Sequence, residues 1–182
     1  FAVSPEEIAL ACASHDGEPE HVSRISAWLG RMGLGEADLE CGAHAPTAPA
    51  AAEALIREGR APSPIHNNCS GKHAGFLALA RHLGAPLEGY LHPDHPVQVR
   101  VRAITCRMAE IAESGLHTGI DGCSAPNYAM PVRHLAIAFK NLAVGIPDDA
   151  GLDAACRRVV RAVTTHPFLV AGTGRYCTAL ME

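Results

Sequence analysis

The chain has 182 residues, of which 48% are hydrophobic and 19% charged, and its formal net charge is −4. This composition excludes a disordered chain, and it gives no basic surface of the kind that binds nucleic acid. No apolar run approaches the roughly 18 residues that a membrane-spanning helix needs, so neither a membrane nor a nucleic acid is expected as a partner.

The sequence contains seven cysteines, an odd number at wide spacings and without a C-x-x-C pair. This pattern is typical of reduced thiols in a cytoplasmic protein rather than of a disulfide framework. The sequence opens at Phe1 without an initiator methionine or a signal peptide, and it stops at Glu182 within an expected helix. We therefore expect residues 1–182 to form a single domain that is truncated at both ends.

The first predicted helix begins after Ser4, which can cap it, with Pro5 at the first helical position and Glu7 completing a capping box. The following residues, 8–13, are apolar throughout, which predicts a buried helix. This helix would present Ser14 and a neighbouring histidine at its end.

Apolar periodicity, with proline starts and glycine stops, predicts the later helices. They cover residues 21–29, 49–57, 70–82, 94–113, 131–142 and 151–164, with a break at His166-Pro167 and a last helix near Thr173. Strand signals are weak, and the best short candidate is Gly119-Ile120-Asp121 inside a loop predicted from 115 to 127. The chain is therefore predicted to be mostly helical.

Three polar segments, at 14–18, 66–73 and 121–128, interrupt the apolar helices, and loops of this kind often carry function. The second segment reads HNNCSGKH and leads into a helix, where free backbone N–H groups favour an anion or a thiolate. Cys69 and Lys72 share a helical face, so the charge of Lys72 is expected to lower the pKa of Cys69. The segment is not a P-loop, and the alternative is a polar helix cap with a buried thiol.

Cys69 and Cys123 both lie in polar loops, and two thiolates with one or two nitrogen or oxygen donors would suit zinc. From the spacing alone, two unpaired structural cysteines remain the alternative. His66 and His73 flank Cys69 and are candidate ligands or acid–base groups, although a lone histidine is more often structural.

Four stretches, taken in order, resemble the rhizobial-type (class 3) L-asparaginases. They are residues 11–21 (ACASHDGEPEH), 66–75 (HNNCSGKHAG) and 121–126 (DGCSAP), followed by His166-Pro167 with 171–175 (AGTGR). The resemblance implies an α/β (α+β) fold similar to serine β-lactamases and penicillin-binding proteins, with an antiparallel sheet packed by helices. It also implies hydrolysis of L-asparagine to L-aspartate and ammonia by a homodimer.

The resemblance also implies roles for single residues. Ser14 matches a catalytic serine of a family that uses two Ser–Lys pairs, in which a lysine amine lets a serine attack an amide. The family's zinc ligands fall on Cys69, Lys72 and Cys123, and the lysine must then bind as a neutral amine. Asp121 and His73 are implied as substrate-binding residues, and Asp121 could instead support the metal ligands.

The departures from the family pattern limit what these 182 residues can do alone. The family's Ser-x-x-Lys and Lys-Thr-Gly motifs do not occur in the sequence, so the isolated chain is expected to be inactive. Asp16 stands where the family often has serine. Two alternatives stay open, namely a related serine amidase or peptidase-like hydrolase with another substrate, and a non-catalytic zinc-binding module. The metal itself could position substrate or be structural.

Overall fold

Nine α-helices and one two-stranded antiparallel sheet form the regular structure of residues 2–182, the part of the chain that the computed structural model describes. The helices are α1 (Pro5–Cys12), α2 (Pro19–Arg31), α3 (Pro49–Arg57), α4 (Ser70–Leu83), α5 (Pro96–Ala109), α6 (Val132–Val144), α7 (Ala150–Thr165), α8 (Pro167–Val170) and α9 (Tyr176–Met181). The strands are β1 (His117–Ile120) and β2 (Pro126–Ala129). The prediction of a mostly helical chain is confirmed.

Helix α1 lies at the centre of the helical packing and contacts α4, α7 and α8. The predicted capping box is present, because the Glu7 N–H donates to Ser4 Oγ at 3.3 Å and the Ser4 N–H donates to Glu7 Oε2 at 2.8 Å. Ala9 and Leu10 are fully buried. The apolar run after the cap therefore forms an inner helix, as predicted, and its end is fixed within the core.

Helices α1 and α4 approach each other closely where α4 begins. A Cβ atom at Gly71 would lie only 2.3 Å from the Leu10 carbonyl oxygen, so this contact requires glycine. Around it the core is filled by large buried side chains, among them Leu10, Ile25, Trp28, Leu29, Leu77 and Tyr90. The close approach brings the residues after α1 next to those that start α4.

Helix boundaries agree with the sequence where a cap or a proline marks them. Helix α3 begins and ends as predicted, and α4 starts at the predicted Ser70. Helix α2 starts two residues early, because Pro19 suits a first helical position, and it continues through Gly30. Helix α5 is shorter than predicted, since it starts at Pro96 and ends where Glu110 adopts a left-handed φ of 50°.

The region predicted as a loop with one short strand is a β-hairpin. Strands β1 and β2 pair antiparallel, with His117 opposite Ala129 and Ile120 opposite Pro126. The turn between them is closed by the Asp121 N–H, which donates to the Ala125 carbonyl at 2.8 Å. The prediction of a single strand was therefore incomplete, because the second strand follows the turn directly.

The end of the described chain also differs from the prediction in detail. Helix α8 begins at Pro167 immediately after the predicted break, and α9 begins at Tyr176 rather than near Thr173. Between them, residues 171–175 form a turn-containing segment. None of the described helices has the length and apolar character to cross a membrane.

Candidate active and metal site

Ser14 lies on the loop that follows α1. Ala13 has an extended backbone that ends the helix, and Ser14 is exposed, whereas residues 15–17 directly after it are buried. The Ser14 hydroxyl oxygen lies 3.9 Å from Cys69 Sγ. The structure therefore presents the candidate serine at the surface of a well-anchored loop, in contact with the second polar segment.

Cys69 occupies the N-cap position of α4, without a capping bond from its side chain, and it is almost completely buried. The Asn67 side chain holds the turn before it, since Asn67 Oδ1 accepts the Cys69 N–H at 2.8 Å. The amide nitrogen of Asn67 donates to the carbonyls of Cys41 and Gly42 at 2.9 and 3.1 Å. These bonds fix the thiol at the start of α4, where the sequence predicted it.

The hairpin turn brings Asp121 and Cys123 to the first turn of α4. Asp121 Oδ2 lies 3.3 Å from Lys72 Nζ and 3.5 Å from Cys123 Sγ. Ser124 has a left-handed φ of 67°, which reverses the chain directly after Cys123. Lys72, Asp121 and Cys123 are thus neighbours, although they come from two distant segments of the chain.

The two thiols of Cys69 and Cys123 share a hydrogen bond that separates their acidities. The bond from the Cys69 thiol holds the pKa of Cys123 well below its usual value, although burial opposes this. The same bond, together with burial, raises the pKa of Cys69. The pair therefore loses one proton readily, and the thiolate forms at Cys123, where the charge of Lys72 also favours it.

Lys72 influences this pair less than the sequence suggested. Its charge acts to lower the pKa of Cys69, but the bond to Cys123 and burial outweigh it, so the expected lowering is not observed. Burial lowers the pKa of Lys72 itself, but the charges of Cys69 and Cys123 and the bond to Asp121 raise it overall. The Gly122 N–H, helped by Lys72, lowers the pKa of Asp121.

His73 is fully buried directly behind this cluster. The Tyr90 hydroxyl accepts the Glu40 N–H at 2.7 Å, so its own proton is directed at His73 Nδ1, 2.8 Å away. The neutral ring of His73 then carries its proton on Nε2. This buried atom has no hydrogen-bond partner among the described residues. The ring contacts Cys123 and helps to lower the pKa of that thiol.

The donor atoms of this cluster fit a metal ion. Ligand atoms of Cys69, Asp121 and Cys123 lie within 4.8 Å of one another, and the amine of Lys72 adjoins Asp121. Thiolate sulfurs and a carboxylate oxygen are among the donors that zinc takes in proteins, whereas a lysine amine is an unusual zinc ligand. The geometry adds Asp121 as a rival to Lys72 for the third protein ligand.

His66, by contrast, faces away from the cluster. Its Nδ1 accepts the Ser63 N–H at 3.1 Å and lies 2.8 Å from Ser63 Oγ, so it caps the short 3₁₀ turn Pro64–His66. Of the two histidines that flank Cys69, therefore, only His73 contacts the site. The structural interpretation is the better one for His66.

Two histidines, to which the sequence assigned no role, anchor the Ser14 loop. His15 and His21 are fully buried and stacked, with ring centroids 4.8 Å apart. His15 Nε2 lies 3.1 Å from Ser70 Oγ, and His15 Nδ1 accepts the Gly17 N–H at 3.1 Å. The sequence placed a histidine beside Ser14 but carried no sign of this long-range bond.

Contacts between the Ser14 loop and the segment 171–175 were also missed. Asp16 forms an ion pair with Arg175, and Glu18 accepts two hydrogen bonds from Thr173. These partners are separated by more than 150 residues, so no local pattern could have shown them. The first and the last of the family-like stretches therefore meet in space.

A family model described as L-asparaginase II matches the chain over residues 1–182. No curated protein matches the chain. The family match extends over all three polar segments and over the segment 171–175, so it does not depend on one motif.

Proposed function

We propose that this chain, which belongs to the L-asparaginase II family, is part of an amidohydrolase that converts L-asparagine to L-aspartate and ammonia. The family match over the full 182 residues carries the proposal. The geometry supports it, because an exposed serine hydroxyl adjoins a dense group of titratable side chains in a protein that is otherwise mostly helical.

In the proposed reaction Ser14 supplies a nucleophilic hydroxyl. Its oxygen attacks the side-chain amide carbon while a lysine amine takes the hydroxyl proton, and the C–N bond then breaks as ammonia leaves with a proton. Water hydrolyses the resulting ester, which releases L-aspartate and restores the serine. Backbone N–H donors would stabilise the oxyanion that forms at each step.

The proposal assigns the lysine of this step to neither lysine of these 182 residues. The sequence contains only two lysines, Lys72 and Lys140. Lys72 is paired with Asp121 at 3.3 Å and Lys140 with Glu110 at 3.9 Å. The proposal therefore expects turnover from the intact protein and none from residues 1–182 alone.

We also propose that Cys69, Cys123 and Lys72 hold a zinc ion. Zinc held by these three residues would supply a Lewis acid in the neighbourhood of the serine. We favour a role in which the site orients the substrate rather than one in which it only stabilises the fold, because the Ser14 hydroxyl lies 3.9 Å from Cys69 Sγ. Asp121 and His73 would then contact substrate or support the ligands.

The finer features of the fold and assembly belong to the same proposal. A two-stranded antiparallel sheet accompanied by helices is compatible with an α/β fold, and we propose the fold of serine β-lactamases and penicillin-binding proteins. A cytoplasmic homodimer is expected from the family resemblance and from the pattern of cysteines.

Ammonia release from L-asparagine by the intact protein tests the proposed activity. Ser14→Ala should lower kcat by about a thousandfold or more, because the variant lacks the hydroxyl that forms the ester. Ser23→Ala is a matched control, since Ser23 is an exposed serine whose hydroxyl bonds only to the Glu20 carbonyl among the described residues.

Three results would contradict the proposal in different ways. An intact protein that releases ammonia from glutamine or β-aspartyl peptides but not from L-asparagine is a related amidase. One that binds zinc and hydrolyses no amide is a binding module. Full activity of Ser14→Ala would remove Ser14 from the mechanism and leave the family assignment standing.

A further inference from the structure

Three backbone hydrogen bonds tie the loop that carries Ser14 to other segments, one of them from the Ala48 N–H to the Asp16 carbonyl at 2.9 Å. The other two act from opposite sides of the loop. On one side the His15 N–H donates to the Asn68 carbonyl at 3.1 Å, and on the other the Asp16 N–H donates to the Ala171 carbonyl at 2.8 Å. The Ser14 hydroxyl makes no contact shorter than 3.9 Å with a polar side chain of the described residues. That contact, with Cys69 Sγ, is long and therefore weak, so the loop is what mainly sets the position of the hydroxyl.

Glu18 reinforces the second of these contacts, the one between the Ser14 loop and residues 171–173. The Thr173 N–H donates to Glu18 Oε1 at 2.6 Å, and the Thr173 hydroxyl donates to Glu18 Oε2 at 2.8 Å, so one residue occupies both carboxylate oxygens. The Thr178 hydroxyl donates to the Gly172 carbonyl at 2.7 Å and thereby ties the same segment to α9. The carboxylate thus joins the Ser14 loop to the end of the described chain.

Gly172 shows how tightly the two segments fit. Its φ of +132° is disfavoured for other residues, and a Cβ atom there would lie 2.7 Å from Glu18 Oε1 and 2.9 Å from Asp16 Cβ. Gly172 is buried, whereas Thr173 is exposed. The contact between Glu18 and residues 172–173 is therefore closely packed at Gly172. At Thr173, which is exposed, a substitution can alter the contact without disturbing the core.

We propose that Glu18 is a positioning residue for Ser14, which it keeps in place through its two bonds to Thr173. This inference rests on the proposed function, in which the Ser14 hydroxyl reacts. Only residues 15–17 separate Glu18 from Ser14, and all three are buried. A displacement of Glu18 should therefore also displace Ser14. Since a displacement of about 1 Å can slow a reaction by about a hundredfold, loss of the contact should reduce turnover.

Variants of the intact protein test the proposal at both partners of the contact, Glu18 and Thr173. Glu18→Ala removes both bonds, Thr173→Val removes the hydroxyl bond at nearly constant shape, and Thr173→Ser keeps it. We expect kcat per folded molecule to fall by between about ten- and a hundredfold in the first, less in the second and little in the third, with KM and metal content unchanged. Glu20→Ala is the control, because Glu20 is an exposed carboxylate of the same region that pairs with Arg24.

The rate of amide hydrogen exchange at Asp16 tests the same contact without a measurement of enzyme activity. Its N–H is bonded to the Ala171 carbonyl, so Glu18→Ala should speed its exchange while the exchange of α4 amides stays unchanged. An unchanged kcat in folded Glu18→Ala, or unchanged exchange at Asp16, would overturn the inference. A wild-type protein without ammonia release would overturn the proposed function instead, and exchange would still decide whether Glu18 holds the loop.

Discussion

At the scale of single residues, the open question is which side chain completes the proposed zinc site. Lys72 Nζ and Asp121 Oδ2 are 3.3 Å apart, and both adjoin the two sulfurs. A lysine ligand must lose its proton, and the neighbouring thiolate and carboxylate raise the pKa of Lys72. Zinc itself would reverse that preference, because a cation disfavours the ammonium form.

We therefore predict that Lys72→Met weakens zinc binding more than Asp121→Asn does. Loss of a direct ligand should exceed the roughly ten- to a hundredfold loss that is usual when a supporting group is removed. Competition with a chromophoric chelator measures the two affinities, and Lys140→Met is the control at the second lysine of the chain. The reverse order of affinities would assign the ligand to Asp121, and wild-type protein without zinc affinity would remove the site.

Some contacts of this site could be predicted from the sequence, and others could not. The spacing predicted a shared helical face for Cys69 and Lys72. In the structure Cys69 precedes α4 as its N-cap residue, and Lys72 lies in the first turn of that helix. The nearness of Cys123 came only from the family resemblance, because no spacing rule joins two loops. Glu18 and Thr173 were not predicted to interact, since their contact depends on how distant segments pack.

At the scale of elements, the crossing of α1 and α4 sets the distance between Ser14 and Cys69. Gly71→Ala would place a Cβ 2.3 Å from the Leu10 carbonyl, so one helix must shift. We predict a loss of about 1–3 kcal/mol in the free energy of unfolding, which is typical of overpacking, and a weaker zinc affinity as Cys69 moves. Urea unfolding of the intact protein measures the first effect.

A second glycine provides the control for this prediction. Gly30 lies in α2, and a Cβ atom added there would have no neighbour within 4 Å, so Gly30→Ala adds a methyl group without a clash. It should stabilise the protein by up to about 1 kcal/mol through helix propensity. Equal effects of the two substitutions would show that the α1–α4 contact is not tight.

Elements with strong local signals were predictable, and those without them were not. Helices α3 and α4 carry a proline start or a glycine stop, and their predicted bounds were confirmed or lay within one residue. The hairpin was only half predicted, because all four residues of β1 are exposed and so lack the alternation that marks a strand. Helix α9 begins after a segment whose shape depends on its contacts with Glu18.

At the scale of the whole molecule, the stacked pair of His15 and His21 joins segments that are far apart in the chain. His15 bonds to Ser70 at the start of α4, and His21 Nε2 bonds to the Phe168 carbonyl in α8 at 3.0 Å. Burial lowers the pKa of His15 to about 3, helped by the charge of His21, and burial also lowers the pKa of His21. The folded state therefore requires both rings to be neutral.

This requirement predicts a loss of stability in acid. The unfolded chain protonates each histidine near pH 6.5, whereas folded His15 takes a proton only near pH 3, so the unfolded state binds more protons in between. The free energy of unfolding should fall as the pH drops from 6.5 towards 3, by up to about 1.4 kcal/mol per pH unit from His15, and the lowered pKa of His21 acts in the same direction. Below the folded pKa the contribution of His15 is lost.

Substitution separates this effect from general acid unfolding. His15→Gln should be less stable at pH 7, because the bond to Gly17 is lost, yet its stability should fall less steeply between pH 6.5 and 4.5, since one proton-binding group is gone. His44→Gln, at an exposed position, is the control and should keep the wild-type slope. Urea unfolding across this range gives both slopes. Parallel lines for His15→Gln and wild type would mean that the buried histidine pair does not control stability in acid.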